Sequence, residues 1–293
     1  MSKPLKMLEK LTDLDTGSKC NWCPGCGDFG ILVALKQALF ELKLDPEETM
    51  IVSGIGCGSQ APHLVKVYGF HSIHGRALPV ATGMKIANHK MNIIVIGGDG
   101  DGYGIGMAHL VHSCRRNFNL TYIVQNNQVY GLTKGQSSPT SDHGFKTKST
   151  PEGVIVMAAR PLGIALASGA TFLARGYAGD IMHLKGLIKA GIEHRGFSLI
   201  DVLQPCVTFN KVNTYQWYQE RIHKLETEEG YDLRNRVMAF QKAEEWGDKI
   251  NVGIYYKEDR STYEDELPMI AEKTLTEQSI ENIDISDAMK FYA

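Results

Sequence analysis

An α/β fold with a doubly wound, mostly parallel sheet is what this sequence predicts, and three observations carry the prediction. Five short apolar runs recur, at 50–56 (MIVSGIG), 92–98 (NIIVIGG), 120–127 (LTYIVQNN), 171–177 (TFLARGY) and 197–203 (FSLIDVL). They are rich in β-branched residues and continuously apolar, as strands covered on both faces must be. Stretches with helical spacing of apolar residues separate them, and this alternation is how crossover helices build a parallel sheet. Glycine, 30 of 293 residues, clusters where the runs end, marking turns at the strand ends.

The helices follow in order. Residues 28–42 have amphipathic spacing with Asp28 as candidate N-cap, and 79–89, 104–116, 150–167 and 180–194 have the same character. These elements place the α/β domain at 20–209, after an N-terminal segment at 1–19. Beyond Phe209 the composition becomes polar and helix-prone, and the last thirty or so residues are acidic and loosely patterned. Residues 210–293 therefore read as a C-terminal helical arm that contacts a partner subunit, with no second core. Tyr215, Trp217 and Tyr218 fit such packing better than a cofactor box.

Bulk properties narrow the function. A net charge of −2, with 43% hydrophobic and 22% charged residues, excludes a basic nucleic-acid groove or a polybasic membrane patch. No apolar run reaches the roughly 18–20 residues of a membrane helix, and the N-terminus MSKPLKMLEKLTDLDTG lacks a signal peptide's apolar centre. The expected location is cytoplasmic, where six cysteines point to metal or redox chemistry before disulfides.

Two strand ends suggest a metal–diphosphate site. In 97–106 (GGDGDGYGIG) a strand enters a glycine-rich turn and then a helix. Glycines let peptide N–H groups approach an anion, and the helix N-terminus adds a favourable dipole. Asp99 supplies a hard carboxylate oxygen, and an adjacent strand end at 125–131 (QNNQVYG) brings Asn127. Carboxylate, amide oxygen and peptide carbonyl, completed by phosphate oxygens and water, suit Mg²⁺. An EF-hand reading fails because no Glu occupies the loop's twelfth position. Gly-Asp-Gly followed 28 residues later, from Asp99 to Asn127, by a double Asn resembles the thiamine diphosphate signature. That resemblance implies Asp99, Asn127 and the Val129 carbonyl as metal ligands, with Gly100, Asp101, Gly131 and Leu132 lining the diphosphate. The polar loop 134–140 (KGQSSPT) either shapes this pocket or is a solvated turn.

The stretch 20–30 (CNWCPGCGDFG) places three cysteines in seven positions, open to zinc, disulfide, redox-pair or iron–sulfur readings. Pro24-Gly25 makes Cys23 and Cys26 the ends of a tight turn, so both sulfurs can face one metal. Cys57, in Gly54-Ile55-Gly56-Cys57-Gly58, ends the first strand, and Cys206 follows the last. Both fall on the sheet edge where ligands of open α/β sheets bind.

Together C-P-G-C-G, G-x-G-C, the GDG–NN pair and the late P-C resemble the β subunits of 2-oxoacid:ferredoxin oxidoreductases, over residues 20–208 and including 69–76 (GFHSIHGR). The resemblance implies a sheet of the thiamine diphosphate-binding type and a [4Fe–4S] cluster on Cys23, Cys26, Cys57 and Cys206. Ile55, Gly56, Cys57 and Gly58 would touch the cofactor, and His74 would stand at the active-site wall as cofactor contact and catalytic residue. Cys20 competes as a ligand, though the family pattern favours Cys23 and Cys26; Cys114 reads as a small buried apolar residue. His63 and His71 read as structural.

The implied reaction is the reversible oxidative decarboxylation of a 2-oxoacid, nearest the 2-oxoglutarate type. Electrons leave through the cluster to ferredoxin, and coenzyme A takes the acyl group; the reverse direction fixes carbon. The glutamate that faces the aminopyrimidine ring in thiamine enzymes belongs to a second domain, which the family supplies on an α subunit. Activity is thus expected only in αβ or (αβ)₂. One departure concerns residues 58–63 (GSQAPH): the basic residue common after the third cysteine is missing, leaving His63 as the nearest substitute for binding a distal substrate carboxylate. Two rival readings carry zinc on the cysteines: a non-redox thiamine decarboxylase or carboligase, and a non-catalytic scaffold subunit.

Overall fold

The structure is a computed structural model that describes residues 8–281 and 283–292. The first seven residues of the expected N-terminal segment, Asn282 and Ala293 lie outside the described residues. The strands are β1 (Thr49–Ser53), β2 (Tyr68–His71), β3 (Asn92–Gly98), β4 (Leu120–Asn126), β5 (Val129–Tyr130), β6 (Gln136–Ser137), β7 (Phe172–Tyr177), β8 (Phe197–Leu203), β9 (Ile222–Lys224) and β10 (Ile250–Lys257). The helices are α1 (Asp28–Glu41), α2 (Ala61–Leu64), α3 (Ala77–Ala87), α4 (Met107–Arg116), α5 (Pro161–Ala167), α6 (Ile181–Glu193), α7 (Tyr215–Gln219), α8 (Arg236–Glu244) and α9 (Ser286–Tyr292).

Eight strands form one sheet in the order β2-β1-β3-β4-β8-β7-β10-β9, and β5 and β6 make a separate two-stranded ribbon. Every pairing from β2 to β7 is parallel, and β10 joins β7 antiparallel. Side chains alternate between two apolar layers, as the strand period of two requires. Along β3, Ile93 and Val95 face α3, α4, α5 and α8, whereas Ile94 and Ile96 face α1 and α6. Tyr122 and Val124 on β4 join the first layer and Ile123 the second. All seven β4 residues are buried, which puts the doubly wound core where the sequence predicts it.

Four expectations need correction. The helix expected at 150–167 starts only at Pro161: Pro161 disfavours helical geometry at Arg160, and Gly153 sits at φ 97°. In the intervening loop Ile155, Val156 and Met157 are exposed. Asp28 does not cap α1, because Gly27 is the N-cap and Asp28 is buried in the first turn. The helix expected from 104 starts at Met107, after a π-helical turn at Gly100–Ile105.

The fourth correction concerns 210–293. Its polar surroundings mask β9 and β10, although β10 itself (INVGIYYK) has the apolar, β-branched and aromatic residues of a strand, and β10 continues the main sheet. Tyr218 packs inside the chain with Tyr177, Leu203, Ile250 and Val252. From Glu258 onward the chain holds short turns, one of which buries Ile270, and α9, whose described side chains are all exposed.

Candidate active site

The carboxyl ends of β1, β3, β4 and β8 lie side by side, and two cavities open there. The first, about 430 Å³, is walled by β1's exit (Ile55, Gly56, Cys57, Gly58), the β3 turn (Asp99, Gly100, Asp101) and the β4 exit (Asn127, Val129, Gly131, Leu132), with His74 beside them. Every residue that the sequence predicts around the cofactor and its metal thus borders one space.

The β3 turn is held from below. Asp99 is buried, and its Oδ2 accepts from Ser138 Oγ at 2.5 Å and from Thr140 Oγ1 at 2.6 Å. Burial raises its carboxyl to about 6, against the pull of these hydroxyls and of the Gly100 N–H. Tyr130 OH donates to the Gly100 carbonyl at 3.1 Å, closing the turn from the ribbon side. At the β4 exit the Asn127 amide oxygen accepts the Val129 N–H at 3.1 Å, and Asn210 donates to the Asn127 carbonyl. Gln128 at φ 58° turns the chain between them.

Asp101 has another part than the sequence suggests. Its Oδ1 accepts from the Ile55 N–H at 2.9 Å and the Gly75 N–H at 2.7 Å, and His74 Nδ1 lies 3.0 Å away. A buried carboxylate repels a diphosphate; here it ties the β1 exit to the His74 loop. Gly54 makes room for it, since a Cβ there would sit 1.9 Å from Asp101 Oδ2.

The second cavity, about 250 Å³, is lined by Cys23, Cys26, Cys57 and Cys206. The Cys23–Cys26 turn forms as its sequence dictates: Cys26 N–H donates to the Cys23 carbonyl at 3.0 Å, and Gly25 takes φ 81°. Cys57 and Cys206 sulfurs each lie 3.7 Å from the place a Cβ on Gly131 would occupy. Gln204 Nε2 donates to the Cys26 sulfur at 3.3 Å, and Trp22 Nε1 donates to the Cys57 carbonyl at 2.6 Å. Burial, reinforced by Asp28, pushes the Cys26 thiol up and the Cys57 thiol up to about 11. Cys20 does not line this cavity, and Cys114 is fully buried in the core.

The donor sets fit the implied groups. Among the described residues no three His, Cys, Asp or Glu side chains are grouped closely enough to hold a single ion. A cation at Asp99 would draw on hard amide, peptide and phosphate oxygens, which suits Mg²⁺. Four thiolates on one zinc would stand about 3.8 Å apart, from a Zn–S bond of about 2.3 Å; sulfurs spread around a cavity suit a cluster, where each holds a separate iron.

Several contributors escape sequence reasoning. Asp28 lines both cavities and lies 3.5 Å from the Cys26 sulfur; its position beside C-P-G-C reads as a cap. Ser138 and Thr140 carry no local signal within a polar loop. His63, the candidate carboxylate binder, is exposed and lines neither cavity.

Comparison with known proteins gives the family. Residues 54–202 match the thiamine pyrophosphate enzyme C-terminal TPP-binding domain, and 206–272 match the C-terminal family of pyruvate ferredoxin oxidoreductase β subunits. The chain is 49% identical over 257 residues to 2-oxoacid:ferredoxin oxidoreductase 1, subunit beta, of Aeropyrum pernix, covering 84% of this chain and 81% of that one. It is 35% identical over 257 residues to the 2-oxoglutarate synthase subunit KorB of Methanocaldococcus jannaschii, covering 87% and 94%. The solved 2-oxoglutarate:ferredoxin oxidoreductase from Magnetococcus marinus, with 2-oxoglutarate, coenzyme A and succinyl-CoA bound, superposes with a TM-score of 0.90 at 36% identity over 98% of both chains. With a cavity at the GDG and NN turns and a four-cysteine cavity on one sheet edge, and relatives of this kind along most of its length, the chain belongs to the β subunits of the 2-oxoacid:ferredoxin oxidoreductases.

Proposed function

We propose that 2-oxoglutarate is the substrate, converted with coenzyme A to its acyl-CoA and CO₂, and that the electrons pass through a [4Fe–4S] cluster on Cys23, Cys26, Cys57 and Cys206 to ferredoxin. The observation that carries this reading is the common wall of the two cavities: Asp28, Cys57, Asn127, Gly131 and Leu132 border both. Such a wall keeps an electron source and an electron acceptor adjacent. The relatives named for 2-oxoglutarate favour that substrate.

Thiamine diphosphate, when bound, supplies the electron-accepting ring that decarboxylation of a 2-oxoacid needs. Asp99, the Asn127 amide and the Val129 carbonyl hold Mg²⁺ against the diphosphate. Gly100, Gly131, Leu132 and the peptide of Asp101 line it, and Ile55, Gly56 and Gly58 line the rest of the cofactor. His74 serves as the catalytic wall residue: its ring borders the cavity, with Nδ1 3.0 Å from Asp101 Oδ1. The raised thiols release their protons when iron binds, so cluster assembly is coupled to proton loss.

The enzyme is completed by an α subunit, giving (αβ)₂ in the cytoplasm. The exposed apolar side chains of Ile73, Ile105 and Leu132 near the cavity support a covering partner. The test is anaerobic co-purification with the α subunit, followed by iron, acid-labile sulfide and zinc per β chain. About four irons and four sulfides are expected, the content of one cluster. One zinc without sulfide would refute the electron path, and a higher kcat/KM for pyruvate than for 2-oxoglutarate would refute the substrate.

A further inference from the structure

A second buried network runs behind the β3 turn, and none of it borders the cofactor cavity. Asp201 on β8 is fully buried, and its Oδ2 accepts from Arg175 Nε at 2.9 Å. Its Oδ1 accepts from Tyr103 OH and from Asn126 Nδ2, both at 3.0 Å. The Arg175 guanidinium lies 5.4 Å from the Trp246 ring and 5.7 Å from the Tyr255 ring. A buried carboxylate satisfied by three donors has one stable arrangement.

That arrangement dictates the next link. The Asn126 amide must turn its NH₂ to the carboxylate, so its Oδ1 faces the other way, 2.9 Å from Thr140 Oγ1. The same hydroxyl lies 2.6 Å from Asp99 Oδ2. Thr140 has one proton and two acceptors, and an ionised Asp99 makes the stronger, charge-assisted bond. The one proton is therefore shared in a three-centre bond, the longer arm to Asn126 Oδ1 and the shorter to Asp99 Oδ2, so the amide orientation that Asp201 dictates sets how the hydroxyl meets Asp99.

We infer that Asp201, braced by Arg175 and acting through Asn126 and Thr140, is a positioning residue for the Asp99 carboxylate. The inference rests on the proposed role of Asp99 as metal ligand. Its consequence is that β8 and β7, with the C-terminal segment that carries Trp246 and Tyr255, tune metal affinity from behind the site.

The experiment uses the co-purified αβ complex and Mn²⁺ as the probe, with its affinity measured by electron paramagnetic resonance in the presence of thiamine diphosphate. Loss of such an outer-shell partner typically weakens metal binding roughly 10–100-fold. Thr140→Val is expected to fall in that range, while Thr140→Ser, which restores the hydroxyl, stays near the parent. Asp201→Asn is expected to weaken Mn²⁺ as well, and the Thr140→Val/Asp201→Asn double variant to bind no more weakly than Thr140→Val alone, because both act along one path. Fully multiplicative losses, or Mn²⁺ affinity unchanged in Asp201→Asn while its melting temperature falls, would overturn the inference. An Asp99→Ala complex that binds Mn²⁺ as tightly as the parent would overturn the ligand role of Asp99 itself, and this inference with it.

Discussion

The oxygen-lined cavity and the sulfur-lined cavity share a wall but are built in opposite ways. The first is assembled from consecutive strand ends whose peptides and side chains are already bonded to one another: Asp99 by Ser138 and Thr140, Asn127 by the Val129 N–H, Asp101 by the Ile55 and Gly75 N–H groups. Its polar groups are hydrogen-bonded within the protein before any ligand arrives. The second draws four thiols from three separate stretches, and burial keeps Cys26 and Cys57 protonated. Its thiols meet because the sheet brings them together. Protein hydrogen bonds thus order the first cavity, whereas under the proposed cluster reading the bound group would complete the second.

The largest effect should come from separating the two cavities. Asp99→Ala is expected to abolish thiamine-dependent turnover while iron and sulfide per chain remain at the parent level. Cys206→Ser is expected to do the reverse, losing iron and sulfide but keeping thiamine diphosphate binding, read by calorimetry. If Asp99→Ala also loses iron, the two cavities are not independent units and the contrast above fails.

A smaller effect tests the scaffold beneath both. Ile123, fully buried on the central strand β4, packs in the α1–α6 layer. Ile123→Ala should destabilise the fold by about 2–5 kcal/mol, the transfer and cavity cost of such a truncation. Ile155→Ala, in the exposed loop, should stay within about 0.5 kcal/mol. Urea unfolding of both variants checks this, and equal losses would mean that the 150–160 loop is packed.

The smallest effect lies away from both cavities. His194 is buried, 2.8 Å from Thr171 Oγ1, and burial, helped by Lys257, pushes it down to about 4 from the usual 6.5, with Asp259 opposing. The unfolded chain therefore binds a proton that the folded chain refuses between those values. Stability should fall as pH drops from 6.5 towards 4 and level off below, as far as this group decides it. His194→Gln should flatten that part of the pH–stability curve; an unchanged slope would show that His194 is not the group responsible.

How much could be read beforehand depended on the range of the interactions. The five predicted strands, the helix expected at 180–194, which the structure finds capped by Asp180 accepting the His183 N–H at 3.1 Å, and the Cys23–Cys26 turn all rest on neighbours in sequence. So does the GDG–NN pair, once two adjacent parallel strands are assumed. The misses differ in kind. β10 (INVGIYYK) carries the local signature of a strand within an otherwise polar region, and its pairing with β7 makes it part of the sheet. Ser138 and Thr140 are unremarkable loop residues until folding puts Asp99 beside them, and Asp28 becomes a shared wall only when α1 starts between the cavities. Alternating apolar runs and glycine-marked turns by themselves determined the central strands, and the cysteine and GDG–NN motifs the family resemblance, because those features are local in chemistry. Only the tertiary structure decided which carboxylate faces the cavity, which hydroxyl holds it and where the C-terminal strands pair, because contacts between residues far apart in sequence leave no periodic trace.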